Sequence, residues 1–274
     1  MGSSAHPYFM ENAEEAVRLD RKTNPAEVRR QAEWCGLKPG LRVLDAGCGP
    51  GRVAAILNGM VQPGGSVLGV DYSEERIRYA RRHYGGEETI RFRTHDLRTP
   101  LTGEGPFDLV WVRFVLEYNF VEGPDIVRQL TNALRPGGTL CLMDLDHNCL
   151  SHHELPPGME EIFLALSRTA QAEYNFDAYA GRKLYAHLYD LGYEEIRMDL
   201  LPHHLIYGEV KDQDIFNWFK KADVVSDRAR GTFDRYPGGH TGFFEDFKRF
   251  FLSPRRFTYT PLILCKGVKP AESD

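Results

Sequence analysis

The sequence predicts an α/β fold in which helices cover both faces of a mostly parallel sheet. Short apolar segments with strand character alternate with helical segments through the first half of the 274 residues, a pattern typical of βαβ units. A glycine-rich turn at 47–51 joins the first strand to the helix after it, which indicates a ligand-binding βα turn. Right-handed crossover connections would then place helices on both faces of the sheet.

Two helical segments precede the first strand. Residues 10–20 carry apolar side chains at helical spacing, and Pro25 and Gly36 bracket a second helix at 26–34. Because both segments come before the sheet begins, we expect residues 1–39 to form an N-terminal helical cap.

Five strands are predicted between residues 40 and 145, at 42–45, 66–71, 89–93, 108–112 and 139–144. Helices are predicted between them, at 52–60, 74–83 and 125–134. Ser73 is expected to cap the second of these helices. The fourth strand is almost wholly apolar, so we expect it to be buried on both faces.

The second half departs from simple alternation. Helices are predicted at 158–174, 183–191, 212–224 and 243–251, and strands at 195–201 and 257–266. Pro261 interrupts the last strand, which favours an edge or a bulge position. We therefore predict a core made of 40–201 and 257–268. Residues 202–256 would form a mainly helical insertion over the mouth of the site, and 147–181 would add to it.

Composition and charge narrow the functional class. A formal net charge of −5 argues against a nucleic-acid groove. The five cysteines are scattered and odd in number, which favours a reducing compartment over a disulfide framework. No apolar run reaches the length of a membrane span, and residues 1–8 lack signal-peptide features. We expect a cytoplasmic protein without a membrane or nucleic-acid partner; the oligomeric state stays open.

The glycine turn is the most informative stretch of the sequence. It reads Val-Leu-Asp-Ala-Gly-Cys-Gly-Pro-Gly at 43–51, with an acid, Asp45, before the first glycine. A dinucleotide fingerprint would require Gly-x-Gly-x-x-Gly, whereas this turn spaces Gly47, Gly49 and Gly51 at alternate positions. In this respect the sequence resembles the class I S-adenosylmethionine (SAM)-dependent methyltransferases.

Further features extend the resemblance in order and spacing. Asp71 ends the second strand, His-Asp-Leu at 95–97 follows the third, Phe-Asp-Leu-Val at 107–110 forms the fourth, and 134–140 matches the turn before the fifth. The resemblance implies a Rossmann-like, seven-stranded sheet whose last strand is antiparallel and forms a hairpin with the sixth. It also implies SAM as cofactor and S-adenosylhomocysteine (SAH) as its product.

The resemblance implies a set of cofactor-binding residues. These are Arg18, Asp45, Gly47, Cys48, Gly49, Gly51, Asp71, Tyr72, Asp96, Leu97 and Arg113. Asp71 would accept hydrogen bonds from the ribose hydroxyls. Tyr72 would stack on adenine or lie at the surface, and Asp96 would contact the adenine amine. Arg18 and Arg113 belong to segments, 15–20 and 113–117, that resemble a small-molecule subgroup, where such arginines lie near the methionine carboxylate. Asp45 would order the loop or contact the SAM amino group.

Histidines supply the candidate general bases, because neutral histidine titrates near the working pH. His147, His152 and His203 are the candidates, and His204 is a rival to them. A cluster of His147, Cys149, His152, His153 and Glu154 matches no standard zinc spacing, so no metal is predicted.

Aromatic side chains at helical spacing mark the predicted insertion. They are Phe216, Trp218, Phe219, Phe243, Phe244, Phe247, Phe250 and Phe251. They would either pack the insertion onto the sheet or line an apolar substrate pocket.

The sequence thus predicts transfer of a methyl group by in-line displacement to a small-molecule acceptor, with the acceptor atom (O, N, S or C) undetermined. One alternative is a non-catalytic SAM-binding module. Another is an NAD-linked oxidoreductase, which would share the loop and Asp71. That alternative does not explain Gly51, the Pro-Gly-Gly turn at 136–138 or a late antiparallel strand.

Overall fold

The computed structural model describes residues 15–212, 214–215, 218–219 and 230–271, and a mixed β-sheet forms its centre. The strands are β1 (Arg42–Ala46), β2 (Ser66–Asp71), β3 (Ile90–Thr94), β4 (Phe107–Arg113), β5 (Leu134–Leu145), β6 (Ser151–His153), β7 (Glu194–Tyr207) and β8 (Phe257–Val268). They are ordered β3-β2-β1-β4-β5-β8-β6, and β7 pairs with β8.

Helices connect and cover these strands. They are α1 (Glu15–Lys22), α2 (Pro25–Cys35), α3 (Arg52–Val61), α4 (Glu74–Tyr84), α5 (Gly123–Ala133), α6 (Met159–Tyr174), α7 (Leu184–Asp190) and α8 (Gly239–Leu252). Short 3₁₀ turns lie at Leu116–Tyr118, Gly181–Lys183 and Arg230–Arg235. None of the helices within the described ranges has both the length and the apolar character that a membrane crossing requires.

The parallel half of the sheet has the predicted architecture. β1 pairs in parallel with β2 and β4, β2 with β3, and β4 with β5. One buried cluster joins α2, α3 and α4 to one face of the sheet, and a second joins α5 and α7 to the other face. Because both faces are covered, Leu109 to Val112 of β4 are almost fully buried, which confirms the α/β class.

The last strand runs antiparallel, as predicted. β8 is antiparallel to β5, β7 and the short β6. β6 is an addition that the sequence did not predict: Ser151 lies opposite Tyr259 on β8. It follows that β8 extends the sheet beyond β5, whose pairing with β8 begins at Leu262.

A bulge interrupts the β7–β8 pair. Pro202 lies opposite Pro261, but the next aligned pair is His204 with Thr260, so His203 is the extra residue. Pro261 lies beside this bulge, which confirms the bulge alternative. β8 is not an edge strand, but Pro261 lies between its pairing with β5, which begins at Leu262, and its pairing with β6, which ends at Tyr259. β7 also continues to Tyr207, six residues beyond the strand end predicted at 201.

The helix boundaries agree with the local sequence signals. The Asn24 side chain accepts a hydrogen bond from the Ala26 N–H at the start of α2, which ends at Gly36 in a left-handed conformation. Ser73 caps α4 by accepting from the Arg76 N–H. The predicted helices at 10–20 and 212–224 lie partly outside the described residues, and α1 is described from Glu15.

Aromatic side chains hold the later part of the chain together. Trp218, Phe233, Phe243, Phe247 and Phe251 are buried in a third cluster with residues of α6 and β7. Phe216 lies outside the described residues. The division into an N-terminal cap, a core and an insertion remains a prediction.

Gly51 closes the turn between β1 and α3. Its φ is +89°, and a Cβ there would lie 2.7 Å from the Ala80 Cβ and 2.9 Å from the Phe92 ring. Gly51 therefore lets α3 pack closely against α4 and β3, and it is absent from the cavity described below.

Gly51→Ala should lower the free energy of unfolding by about 3 kcal/mol, since a side chain at this position meets both a positive φ and a filled core. Urea denaturation measures the change. Gly59→Ala is the matched control, because Gly59 is an exposed residue of α3 and a Cβ added there would have no neighbour within 4 Å. The control should gain up to about 1 kcal/mol. Equal stabilities for the two variants would contradict the packing role.

Candidate functional site

The glycine turn is held by hydrogen bonds from its own backbone. The N–H groups of Gly47 and Cys48 both donate to the carbonyl oxygen of Val70, at 2.8 and 2.9 Å. Gly47 has a φ of +80°, and a Cβ there would lie 2.4 Å from Cγ2 of Val115. The turn therefore lies against the ends of both neighbouring strands, β2 and β4, and leaves no room for a side chain at Gly47.

Asp71 connects this turn to the end of β2. One carboxylate oxygen accepts from the Gly49 N–H at 2.9 Å. The other accepts from the Ser73 N–H at 2.9 Å and from Nε of Arg76 at 3.1 Å. Asp71 is buried, with 7% of its surface exposed, and it is part of the cavity wall. A fixed carboxylate thus lies at the carboxyl end of a parallel strand, where α/β folds bind ligands.

A cavity of about 1040 Å³ opens beside the turn. Nine of the eleven predicted cofactor residues line it: Arg18, Gly47, Cys48, Gly49, Asp71, Tyr72, Asp96, Leu97 and Arg113. Asp45 and Gly51 do not. Pockets for one drug-sized molecule run from about 300 to 1,000 Å³, so this cavity has room for more than one small molecule.

Asp45 lies behind the turn rather than in the cavity wall. Its Oδ2 atom is buried without a hydrogen-bond partner in the part of the chain that the structure describes. Burial and the nearby Asp71 raise the pKa of Asp45 to about 7, although Arg113 and a hydrogen bond from the Ala54 N–H oppose the rise. A carboxylate that orders the loop is expected to accept a backbone hydrogen bond of this kind.

Tyr72 and Asp96 lie together on one side of the cavity. Tyr72 is 61% exposed, and the guanidinium carbon of Arg98 lies 5.7 Å from its ring centroid. Arg98 also donates to both oxygens of Asp96, at 2.7 to 3.0 Å, and this hydrogen bonding lowers the pKa of Asp96. Sequence reasoning missed Arg98, although it follows Asp96 by two residues.

Arg113 and Arg18 also line the cavity. Nε of Arg113 donates to the Gln31 side chain at 3.1 Å, and its guanidinium lies 4.1 Å from the Phe114 ring centroid. Burial lowers the pKa of Arg113 to about 10, against the opposing effect of Glu27 and Asp45, so it stays charged at neutral pH. Arg18 makes a two-point ion pair with Glu15 on α1, at 2.6 and 2.7 Å.

The three candidate histidines occupy different places. His203, on the bulge of β7, lines the cavity, with its ring centroid 5.1 Å from that of Phe114. His147 and His152 do not line it. His152 uses both ring nitrogens, on Thr258 Oγ1 and the Cys149 carbonyl, and burial lowers its pKa to about 4. His147 contacts Ser151 Oγ at 2.6 Å. His203 is thus the candidate that the fold brings to the cavity.

A metal centre is not evident. Within the described ranges, no group of three or more His, Cys, Asp or Glu side chains is arranged to hold an ion. His153 instead lies 3.6 Å from the Glu154 carboxylate, and Arg255 pairs with the same carboxylate.

The far end of the cavity is apolar. Its wall includes Leu150, Phe163, Leu166, Trp218, Phe233, Phe243, Phe244 and Phe247. The two interpretations of the aromatic residues therefore apply to different side chains. Phe219, Phe250 and Phe251 pack within the third cluster without lining the cavity, whereas Trp218, Phe243, Phe244 and Phe247 also line it. Helices α6 and α8 together with this third cluster are called the cap from here on. Phe163 and Leu166 on α6 were missed because an apolar helix face looks the same whether it meets a core or a ligand.

Replacing Asp45 by Asn should change how stability depends on pH. The pKa of about 7 in the folded chain exceeds the ordinary value of 3.8, so the folded state binds this proton more tightly than the unfolded state. Wild-type stability should therefore fall as pH rises from about 4 to about 7 and level off above that. Relative to wild type, Asp45→Asn should gain on the order of 2 to 3 kcal/mol between pH 5 and pH 8, measured by urea denaturation. A stability difference that is the same at both pH values would contradict the raised pKa.

Comparison with known proteins agrees with this geometry. Residues 43–138 match the family described as Methyltransferase domain. The 2-phytyl-1,4-naphtoquinone methyltransferase of Synechococcus elongatus is 24% identical over 56% of this chain and 81% of its own length. The ubiquinone biosynthesis O-methyltransferase of Bordetella avium is 30% identical over 56% of this chain and 63% of its own. An uncharacterised transposon protein of Streptomyces fradiae is 31% identical over 42% of this chain, and the match spans only 33% of that protein.

A solved structure has the same fold over nearly the whole chain. The SAM-dependent methyltransferase of Aquifex aeolicus superposes with a TM-score of 0.53 and 16% identity, covering 94% of this chain and 100% of that one. At this identity the likeness shows the fold alone. Residues 43–138, which contain the glycine turn and strands β1 to β4, thus form a methyltransferase domain of the class I SAM-dependent type, a family that uses SAM and yields SAH.

Proposed function

We propose that this protein transfers the methyl group of SAM to a small-molecule acceptor bound beneath the cap. One observation carries the proposal: a single cavity contains both the glycine turn with Asp71 and the apolar wall formed by α6 and α8. A donor and an acceptor bound at its two ends would meet inside it.

The residues around the glycine turn fit the parts of SAM. Asp71 offers a carboxylate for the ribose hydroxyls, and it is held rigidly by three donors. Tyr72 presents a flat, exposed ring suited to adenine, with Asp96 and Leu97 beside it. Arg113 and Arg18 are cations that would pair with the methionine carboxylate. Gly47 and Gly49 let the cofactor lie directly on the backbone.

Bound SAM would supply a methyl group already activated by its positive sulfur. The protein's own contribution would then be alignment for in-line displacement and the exclusion of water, which can lower a barrier by several kcal/mol. His203 lies in the cavity wall, where it could accept a proton from an acceptor that must lose one. We assign no role in proton transfer to His147 or His152.

Two features support a small-molecule acceptor. The apolar end of the cavity lies beneath α6 and α8, which suits a compact ligand more than a macromolecule. The names of two relatives also specify small-molecule methylation, of a phytyl-naphthoquinone and in ubiquinone biosynthesis. A non-catalytic SAM-binding module would not need this second compartment.

SAH should bind wild-type protein with micromolar affinity, and Asp71→Asn should weaken binding at least tenfold, or by about 1.4 kcal/mol. The substitution removes the charge that strengthens hydrogen bonds to the ribose and to the glycine turn. Isothermal titration calorimetry measures both proteins. Asp125→Asn is the control, since Asp125 is an exposed residue of α5 paired only with Arg128 among the described residues. Wild-type protein that binds NAD but not SAH would overturn the proposed function.

A further inference from the structure

The charged residues of the cavity wall all come from the first part of the chain. Ten such residues line it: Arg18, Lys22, Glu27, Asp71, Glu74, Arg76, Asp96, Arg98, Arg113 and Glu117. Among the described lining residues beyond Glu117, none carries a full charge apart from the titratable His203. Among the described lining residues, the charged ones therefore belong to the elements around the glycine turn and to the segment after β4, whereas those contributed by α6 and α8 are uncharged. The part of the wall formed by α6 and α8 is called the uncharged end.

The uncharged end is built from rings and aliphatic groups, with few polar atoms. α6 contributes Phe163 and Leu166, and α8 contributes Phe243 and Phe247. Ser167 on α6 is among the few polar side chains there. A charged ligand group in this compartment would lose its hydration without gaining an ion-pair partner among the lining residues that the structure describes, which is costly. A flat apolar body would instead gain dispersion and ring contacts.

We propose that the acceptor is an uncharged molecule with an aromatic or similarly flat apolar body. Its reactive polar atom would lie at the boundary between the two ends, near His203 and Phe114. This inference rests on the proposed function, because it assigns the second compartment of the same cavity. It excludes amino acids, phosphorylated metabolites and other acceptors whose bodies are ionised.

Two probes of the same shape test this proposal. 2-Naphthol and 2-naphthalenesulfonate are titrated separately into protein saturated with SAH, and binding is followed by calorimetry. The neutral probe should bind at least tenfold more tightly than the anion. Equal affinities, tighter binding of the anion, or no binding of either probe would overturn the proposal.

A positive charge introduced at Leu166 also tests the proposal, because it should shift the binding preference from the neutral probe toward the anion. Leu166→Lys should weaken binding of 2-naphthol at least fivefold and strengthen binding of 2-naphthalenesulfonate by a similar factor. Leu166→Met, the matched control, adds no charge and should keep 2-naphthol the more tightly bound of the two probes. SAH affinity is measured for each variant, to show that the variant folds and keeps its cofactor site. Retained SAH binding with unchanged probe affinities would overturn the acceptor assignment alone. Failure of wild-type protein to bind SAH would instead overturn the proposed function.

A different observation concerns the outer edge of the sheet. β7 pairs with β8 and with no other described strand. Met198 and Leu200, two residues apart and so on one face of β7, are 47% and 62% exposed. An uncovered edge strand with exposed apolar side chains is a template for pairing with another strand.

The charges on the other face of β7 are self-complementary. Arg197 and Asp199 form no ion pair with another described residue. In an antiparallel, two-fold pairing centred on Met198, Arg197 of each copy lies opposite Asp199 of the other, and Ile196 lies opposite Leu200. Centring the pairing on Arg197 or Asp199 would instead place like charges opposite each other, which is destabilising. Of these three registers, the one centred on Met198 satisfies both faces.

From this we infer that two copies of the chain associate through their β7 strands in that register, extending the sheet across a two-fold axis. The occupant of the β7 edge is thus a second copy of this chain.

Charge reversal tests the register. Wild-type protein should sediment as a dimer at micromolar concentration, while Arg197→Asp and Asp199→Arg should each raise the dimer dissociation constant at least tenfold. The double variant, which restores opposite charges, should recover the dimer. SAH affinity should stay unchanged throughout, which shows that each variant folds. A monomeric wild type, or single variants that dimerise as well as wild type, would overturn the inference.

Discussion

The hydrogen bond from the Gly49 N–H to the Asp71 carboxylate is the interaction on which the site depends. It joins the turn after β1 to the end of β2, while Arg76 and the Ser73 N–H hold the same carboxylate from α4. The acid proposed to bind ribose is therefore also the group that shapes the turn proposed to support the rest of the cofactor. Substitution of Asp71 is expected to affect both features together.

The long β8 strand explains how a cofactor fold acquires a second compartment. Its C-terminal half pairs with β5 inside the core, and its N-terminal half pairs with β6 beyond the end of β5. Thr258 and Thr260 on this extension contact His152 and His204, which in turn lie against Trp218 of the cap. The cap is thus attached to the same strand that closes the core sheet.

The parallel half of the fold could be predicted because its signals are local. Apolar strands, helix caps and the glycine turn each follow from a few neighbouring residues, and the right-handed crossover rule places helices on both faces of the sheet. β6 and the bulge at His203 could not be predicted, since a three-residue strand has no periodicity and a bulge depends on which residue lies opposite it. The Arg98–Asp96 and Arg113–Gln31 pairs were missed for a similar reason, because side-chain pairing depends on tertiary placement.

The central claim is that one cavity holds the donor at its charged end and the acceptor at its uncharged end. A crystal structure of the protein with SAH and 2-naphthol tests it most directly. We expect the SAH ribose to lie at Asp71, its adenine beside Tyr72 and its carboxylate toward Arg113. The naphthol ring should lie among Phe163, Leu166 and the aromatic residues of α8, with its hydroxyl group toward the SAH sulfur. SAH lying across the cap, or naphthol bound outside this cavity, would contradict it.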